Sequence, residues 1–309
     1  DPPTISMVFT VNTSPLSGQG GGKFLTGNHL LERLERAHMA DPALLFEKID
    51  GASRFKVSGR GILHLTVLIE TMRREGYEFT IGSPQVIMRK DEAGKILEPI
   101  ESFHCEVPAE YSGAIIEELG RRKGEMTNME QDDNNRVAIE YLIPSRGLLG
   151  LRPKLLSLSK GYAISSSIFK EYEPYKGDIP ARTDGVLIVK DAGTSAGYAL
   201  SKLEDRGALF IPPGVEVYPG MIVGQHNRPI DIIVNVTKGK HLTNMRSKAA
   251  DDMIQLTPYR RMTLEESVTF INEDECVEVT PNVLRLRKVI LDAVRRKQLS
   301  KTPTEEEDE

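Results

Sequence analysis

Three short segments carry residue types that could do chemistry. LSGQGGGKFLTG, residues 16–27, places a glycine run before a lysine, as a phosphate-binding loop does. GTSAG, residues 193–197, has the G-x-S-x-G form of a serine nucleophile. KGKHLTNMRSK, residues 238–248, concentrates cations, as nucleic-acid-binding segments do. Each segment also has an ordinary structural interpretation.

The glycine run does not meet the requirements of a nucleotide-binding loop. The P-loop G-x-x-x-x-G-K-[ST] needs glycines to wrap phosphates, a lysine for charge and a hydroxyl group for magnesium. Aligned on Lys23, Gly22 fits, but Ser17 takes the place of the first glycine and Phe24 the place of the hydroxyl. The segment is therefore predicted to be a flexible connection between a strand and a helix.

GTSAG supports one enzymatic alternative, a serine hydrolase. Ser195, Asp231 and His241 follow each other in the order of an α/β-hydrolase triad. The nucleophile elbow also needs a buried parallel sheet and an oxyanion loop upstream, and this glycine-punctuated region predicts neither. The hydrolase hypothesis is kept as the alternative.

KGKHLTNMRSK is the stronger candidate, because it follows an apolar strand abruptly and has no apolar periodicity of its own. It combines cations for phosphates with donors for sugars or base edges. The predicted nucleic-acid-binding residues are Lys238, Lys240, His241, Thr243, Asn244, Arg246 and Lys248. An ordinary basic surface loop is the alternative. A second basic cluster, residues 285–297, predicts another positive surface stripe.

Composition bounds the remaining possibilities. The net charge of −5 equals that of EEEDE at residues 305–309, so the rest of the chain is formally neutral and the acidic tail is predicted to be disordered. The six histidines and two cysteines lack ligand spacing, so neither a metal site nor a disulfide framework is expected. No apolar run approaches the ~20 residues that span a membrane. The chain starts without methionine, and we expect a longer parent protein.

The elements that position these segments follow from hydrophobic periodicity. Alternation predicts strands at residues 4–11 and 77–81, with two short strands between them. Helical spacing predicts one helix over residues 28–40 and a second that ends at Gly76. The second helix turns four apolar residues inward, Ile62, Leu65, Ile69 and Met72. The resulting order, βαββαβ, is the ferredoxin-like arrangement.

A related order recurs further along the chain. Strands are predicted at residues 86–89, 99–107, 137–143 and 163–169, and helices at residues 109–119 and 147–158. A restart of the second helix at Pro153 is the alternative. A linker is predicted at residues 171–185, and short apolar runs between glycine and proline turns follow it. Thr263-x-x-Glu266 predicts a capped helix there. The predicted class is therefore α+β, with two tandem ferredoxin-like βαββαβ domains and a mostly β C-terminal domain with short helices.

Long collinear motifs make the chain similar to the C-terminal half of the BipA/TypA translational GTPases. The matching stretches are DPPTISMVFTVNTSP, VSGRGILHL, IPSRGLLGLR, YKGDIPARTDGVLI, YALSKLEDRGALFIPPGVEVYPGMIVGQHNR, VNVTKGKHLTNMRS and EDECVEVTPNVLRLRK. The sequence departs from the family in two places. Ile62 replaces the glutamate of the family's GRGELHL, and an acidic tail extends the end.

The resemblance implies four regions. Residues 1–82 and 83–173 correspond to domains III and V of elongation factor G, residues 174–298 to the C-terminal domain particular to the family, and residues 299–309 to a tail. It also implies that GTP and magnesium bind an N-terminal domain absent from this chain, so that this portion has no cofactor and no enzymatic activity.

The partners implied are the ribosome, through rRNA, ribosomal proteins and A-site tRNA, and no membrane. The expected protein is a monomer that acts in translation under stress or in assembly of the large subunit. The expected location is the cytoplasm, or the chloroplast stroma in a plant.

Overall fold

A computed structural model describes residues 3–50, 53–179, 182, 184–239 and 256–299. The first module, residues 5–82, has the predicted order of strands and helices. Its elements are β1 (Ile5–Val11), α1 (Gly27–Ala40), β2 (Leu45–Asp50), β3 (Arg54–Gly59), α2 (Ile62–Glu75) and β4 (Phe79–Gly82). The sheet order β4-β1-β3-β2 is antiparallel and ferredoxin-like.

Local sequence explains where the helices of this module begin and end. Thr26 caps α1 by accepting a hydrogen bond from the His29 backbone N–H. Gly76 ends α2 in the left-handed conformation that glycine adopts without strain. Leu65, Ile69 and Met72 are fully buried, as their helical spacing predicts, and Ile62 packs at the margin of the same core.

The second module, residues 85–174, repeats the arrangement. Its elements are β5 (Gln85–Val86), β6 (Arg89–Lys90), β7 (Ile96–Pro108), α3 (Ala109–Arg121), β8 (Glu125–Gln131), β9 (Arg136–Pro144), α4 (Ser145–Leu148), α5 (Leu151–Leu158) and β10 (Ile164–Pro174). The sheet order is β10-β7-β9-β8. The predicted strand at residues 86–89 is instead two short strands, because β5 pairs with β1 of the first module and β6 pairs with β7.

Two further predictions for the second module need correction. The helix predicted over residues 147–158 is broken, because Gly150 lies in the left-handed conformation between α4 and α5. The linker predicted from residue 171 begins later, because β10 continues to Pro174 and pairs with β7 along its length.

The third region is mostly β with short helices, as predicted. Its elements are β11 (Val186–Val189), β12 (Gly193–Thr194), α6 (Gly197–Ser201), a 3-10 turn (Glu204–Arg206), β13 (Gly207–Leu209), β14 (Glu216–Val217), β15 (Met221–His226), β16 (Ile232–Val234), α7 (Leu264–Phe270), β17 (Glu275–Val279), β18 (Leu284–Lys288) and α8 (Ala293–Leu299). The capping box of α7 is present, with Thr263 and Glu266 satisfying each other's backbone N–H groups.

One sheet joins the first module to the third region. β4 pairs with β17, so that Ile81 lies opposite Val277 and Phe79 opposite Val279, and the sheet continues through β18 and β15 to β11 and β16. All four of these apolar residues belong to one core. The second module has its own core, in which Ile115 and Leu119 of α3 are buried and Tyr111 is partly buried. No described helix is long and apolar enough to cross a membrane.

Candidate nucleic-acid interface

The basic segment that begins at Lys238 leaves the sheet from a well-anchored stem. Val236 is fully buried, and its carbonyl accepts a hydrogen bond from Ala196 N at 2.8 Å. Asn235 holds the following turn, because its side-chain oxygen accepts from Thr237 N at 3.0 Å and its amide donates to Asp191 at 2.6 Å. Lys238 is the next cation and is exposed. The other six predicted binding residues, Lys240, His241, Thr243, Asn244, Arg246 and Lys248, lie outside the described residues.

The chain returns to the same domain at Leu256. Leu256 packs against the cluster that contains Val236, and Thr257 donates to Glu204 through both its N–H and its hydroxyl at 2.6 Å. The chain is therefore anchored to one core just before Lys238 and again at Leu256.

Lys190 is a cation near this stem that sequence reasoning missed. β11 and β16 run parallel, with Val189 opposite Val234, so the residues after both strands emerge at the same edge of the sheet. Lys190 is exposed, and its N–H donates to Val234 O at 2.9 Å. Only the parallel pairing of β11 with β16 places Lys190 next to the stem. Hydrophobic periodicity predicts strands but does not reveal which strands pair.

The second basic cluster is not the surface stripe that its sequence predicts. Arg285 and Arg287 flank Glu278, with nitrogen–oxygen distances of 3.5 and 3.3 Å, and the Glu278 carboxylate is fully buried. The Tyr218 hydroxyl also contacts this carboxylate. Burial raises the pKa of Glu278, and the charges of Arg287 and Arg285 oppose that rise. Arg285 and Arg287 therefore pair with a buried carboxylate and do not form a surface stripe.

Lys288 is also buried, with a side-chain exposure of 3%. Its Nζ lies 2.6 Å from Asp274, 2.7 Å from Asp231 and 3.0 Å from Glu275. Burial alone would lower the pKa of Lys288, but the hydrogen bonds to the two aspartates and the charge of Glu275 raise it above its ordinary value. Arg182 approaches Glu275 from the other side at 2.8 Å. In this cluster, only Arg295 and Lys297 of α8 remain exposed cations.

The glycine run is a packing feature of the seam between the first module and the third region. Asn282 N donates to Gly20 O at 3.1 Å, and a methyl group on Gly20 would come within 2.5 Å of Thr280 Cβ. A methyl group on Gly22 would come within 2.6 Å of Glu78 Oε2. The flexible connection predicted here is therefore a tightly packed one, in which close approach of the backbone requires glycine.

The contacts of Ser195 contradict the hydrolase alternative. Its side chain is 4% exposed, and its hydroxyl donates to Pro212 O at 2.9 Å and accepts from Val215 N at 3.0 Å. Asp231 is occupied by Val186 N and by Lys288. His241 lies outside the described residues. Ser195 is thus a buried turn residue that holds two loops together.

The two cysteines are free and buried in different sheets. Burial raises the pKa of Cys105 and of Cys276 to about 11, so both thiols stay protonated at neutral pH. Among the residues that the structure describes, no three histidine, cysteine or acidic side chains lie close enough to share a metal ion.

Comparison with known proteins identifies two domains along the chain. Residues 95–183 match the family described as elongation factor G C-terminus, and residues 184–293 match the TypA/BipA C-terminal domain. Several relatives carry the name large ribosomal subunit assembly factor BipA. The Synechocystis protein is 47% identical over 94% of this chain, that of Haemophilus influenzae 46% over 98%, and that of Bacillus subtilis 43% over 97%.

The chain spans about half the length of these curated relatives, 48% in Synechocystis and 49% in the other two. The similarity is nonetheless continuous across the fold, from the first ferredoxin-like module to the terminal helix. The chain therefore belongs to the BipA/TypA family and comprises the C-terminal half of such a protein, with an elongation factor G C-terminal domain followed by the TypA/BipA C-terminal domain.

Proposed function

We propose that this chain is the ribosome-binding portion of a BipA-type factor that acts in assembly of the large ribosomal subunit, in translation under stress, or in both. The relatives' name, large ribosomal subunit assembly factor, supports the ribosomal partner. The single observation in the fold that carries the proposal is that the chain is anchored to one buried core on either side of the stretch that contains the basic segment, at Val236 and at Leu256. This stem fixes the position of Lys238, the first cation of the segment, on the surface.

In this proposal the basic segment contacts rRNA and the acceptor end of A-site tRNA. Lys238, Lys240, His241, Arg246 and Lys248 supply charge for phosphates, while Thr243 and Asn244 hydrogen-bond sugar or base edges. Exposed Lys190 adds a cation at the base of the segment. The other surfaces meet ribosomal proteins, and the factor works as a cytoplasmic monomer.

GTP hydrolysis belongs, in this proposal, to the N-terminal half of the whole protein, which binds GTP and magnesium. The present chain contributes no cofactor site. The packing of Gly20 and Gly22 supports this division of labour, because those glycines are used for contact with Thr280 and Glu78.

The test replaces Lys238, Lys240 and Arg246 together with alanine in the intact protein. Each lost phosphate contact reduces the salt dependence of binding by about one unit of slope, so a reduction of about three units is expected together with weaker binding. Ribosome co-sedimentation across a salt series measures both quantities.

A matched control replaces three other lysines with alanine, Lys48, Lys56 and Lys90, which are exposed on strands of the first two modules. This control variant loses the same net charge. Lys301→Ala in the tail is a second control. If the triple variant at Lys238, Lys240 and Arg246 binds ribosomes with wild-type affinity and wild-type salt dependence, the segment is an ordinary surface loop. A structural reconstruction of the intact protein bound to mature and to immature large subunits distinguishes a role in translation from a role in assembly.

A further inference from the structure

A cavity of about 560 Å³ lies where the two modules and the third region meet. The N-terminal end of α2 forms one wall, α4 and α5 a second, and α7 a third, while β7 and β10 form the floor. Phe103, Phe169 and Leu148 give it an apolar lining. A space of this size accommodates several side chains of a partner.

Two polar groups at the floor of the cavity have no partner. Glu101 is 8% exposed and makes no hydrogen bond or ion pair with any described residue. Ser145 is fully buried, and its hydroxyl likewise has no partner among the described residues. A buried hydroxyl such as that of Ser145 is normally hydrogen-bonded, because leaving it unpaired costs free energy, whereas the Glu101 side chain lines the open cavity. The carboxylate of Glu101 and the hydroxyl of Ser145 could both accept hydrogen bonds from a cation that enters the cavity.

The cations already near the cavity do not reach Glu101. Arg60 and His64 at the mouth approach Asp41, at 3.4 and 3.0 Å. Arg152 also lines the cavity, but it is exposed, where solvent screens its charge. None of these three cations is therefore paired with Glu101.

β10 borders this cavity with an open edge. It is the outermost strand of its sheet and pairs on one side with β7, whereas its other side pairs with no described strand. Ser165, Ser167 and Phe169 lie opposite Cys105, Phe103 and Glu101, on the face of the cavity. Ile164 and Ile168 alternate with these residues along the strand and are 63% and 69% exposed, and Ile168 also borders the cavity. A long open edge with exposed isoleucines is a template for another strand.

We propose that β10 is the docking site for an extended segment of a partner protein that carries a lysine or arginine. The segment pairs with the open edge of β10 as an added strand and places its cation against Glu101 and Ser145. Side chains of an added strand alternate, so every second one enters the cavity and the others cover Ile164 and Ile168. A nucleic acid does not fit, because Glu101 repels phosphate.

The spacing of strands explains the preference for a long cation. The added strand lies two inter-strand distances from β7, about 10 Å from the backbone of Glu101. A lysine on its four-carbon stem, or an arginine, spans this gap together with the glutamate side chain. Shorter polar side chains do not span it.

The test uses a fluorescent nine-residue peptide of alternating valine and threonine, with lysine in place of the central threonine. Binding to the full 309-residue chain is followed by anisotropy. We expect saturable binding that weakens about tenfold or more when norleucine replaces lysine, since a hydrogen bond to a charged group is lost. Glu101→Gln should weaken the lysine peptide equally and leave the norleucine peptide unchanged.

Matched controls make the result specific. Glu140→Gln makes the same change at an exposed glutamate on the other face of the sheet and should leave binding unchanged. Ser167→Lys places a competing cation beside Glu101 and should abolish binding of the lysine peptide, so the proposal stays testable if Glu101→Gln unfolds. N-methylation of the peptide amides that face β10 should block binding, whereas N-methylation of the amides on the opposite edge of the peptide should not.

Three results would overturn the proposal. One is the absence of saturable binding, and another is equal binding of the two N-methylated peptides. The third is self-association of the chain, seen by sedimentation velocity and removed by Ile168→Lys, which would assign the edge to a second copy of the chain. The first two outcomes do not bear on the ribosome assay, because the peptide carries no nucleic acid.

Discussion

Replacing Lys288 with methionine tests whether the buried ion cluster of the third region stabilises the fold. The three carboxylates around Nζ are not equivalent, because the Asp274 and Asp231 side chains are 62% and 38% exposed, whereas that of Glu275 is fully buried. Exposed pairs contribute little. Removing one partner of a buried pair costs about 3–5 kcal/mol. Because Arg182 still holds Glu275, we expect a loss near the lower end, about 3 kcal/mol.

The loss should be constant across neutral pH. The pKa of Lys288 is raised in the folded chain, so its stabilisation is fully present below the unfolded value of 10.5 and disappears only as the pH rises through the folded pKa. Unfolding in urea is monitored by hydrogen exchange in peptides that cover β17 and β18. The free energy of unfolding of this region is thereby measured separately from that of the second module.

Two variants control the experiment. Lys190→Met removes an exposed lysine from the same region and should change the free energy of unfolding by no more than about 0.5 kcal/mol. Lys288→Met combined with Glu275→Gln removes both charges and should be less destabilised than Lys288→Met alone, because no unpaired carboxylate remains at that position. A loss below about 1 kcal/mol in Lys288→Met would refute the reasoning, since it would mean that solvent reaches Glu275.

Three further outcomes are expected. Leu65→Ala should cost about 2–5 kcal/mol in urea unfolding, because Leu65 is fully buried in α2, and an unchanged midpoint would contradict that packing. Gly20→Ala should cost about 1–3 kcal/mol through its clash with Thr280, whereas Gly113→Ala, which meets no atom within 4 Å, should not destabilise the chain. Cys105 and Cys276 should resist iodoacetamide in the native chain at neutral pH and react in denaturant, because burial raises both pKa values to about 11; rapid native labelling would show that the thiols are accessible.

Hydrophobic periodicity predicted the elements that bury one face. The inward stripe of α2 and the alternation of β1 and β9 placed these elements correctly, because burial on one side imposes the period. It missed β8, whose residues are all exposed, so that no apolar alternation marks the strand. The break in the helix falls at Gly150, in the left-handed conformation, and not at Pro153, where the proline suggests a restart.

The basic segments show what local charge does not reveal. KGKHLTNMRSK and the cluster that contains Arg285, Arg287 and Lys288 look alike in composition, yet the second is buried against Glu278 and Glu275. Those carboxylates lie on a neighbouring strand, and only the pairing of β17 with β18 brings them there. The seam at Gly20 was hidden for the same reason, because its partner Thr280 is distant in sequence.

The pairing of β4 with β17 has a consequence for how the chain folds during its synthesis. The two strands are about 200 residues apart, and at about 5–20 residues per second a ribosome needs about 10–40 seconds to make the second strand after the first. For that time the edge of β4, with Phe79 and Ile81, has no neighbour to cover it. An open apolar edge attracts other chains. The nascent first module therefore carries an apolar strand edge without its partner until β17 has been synthesised.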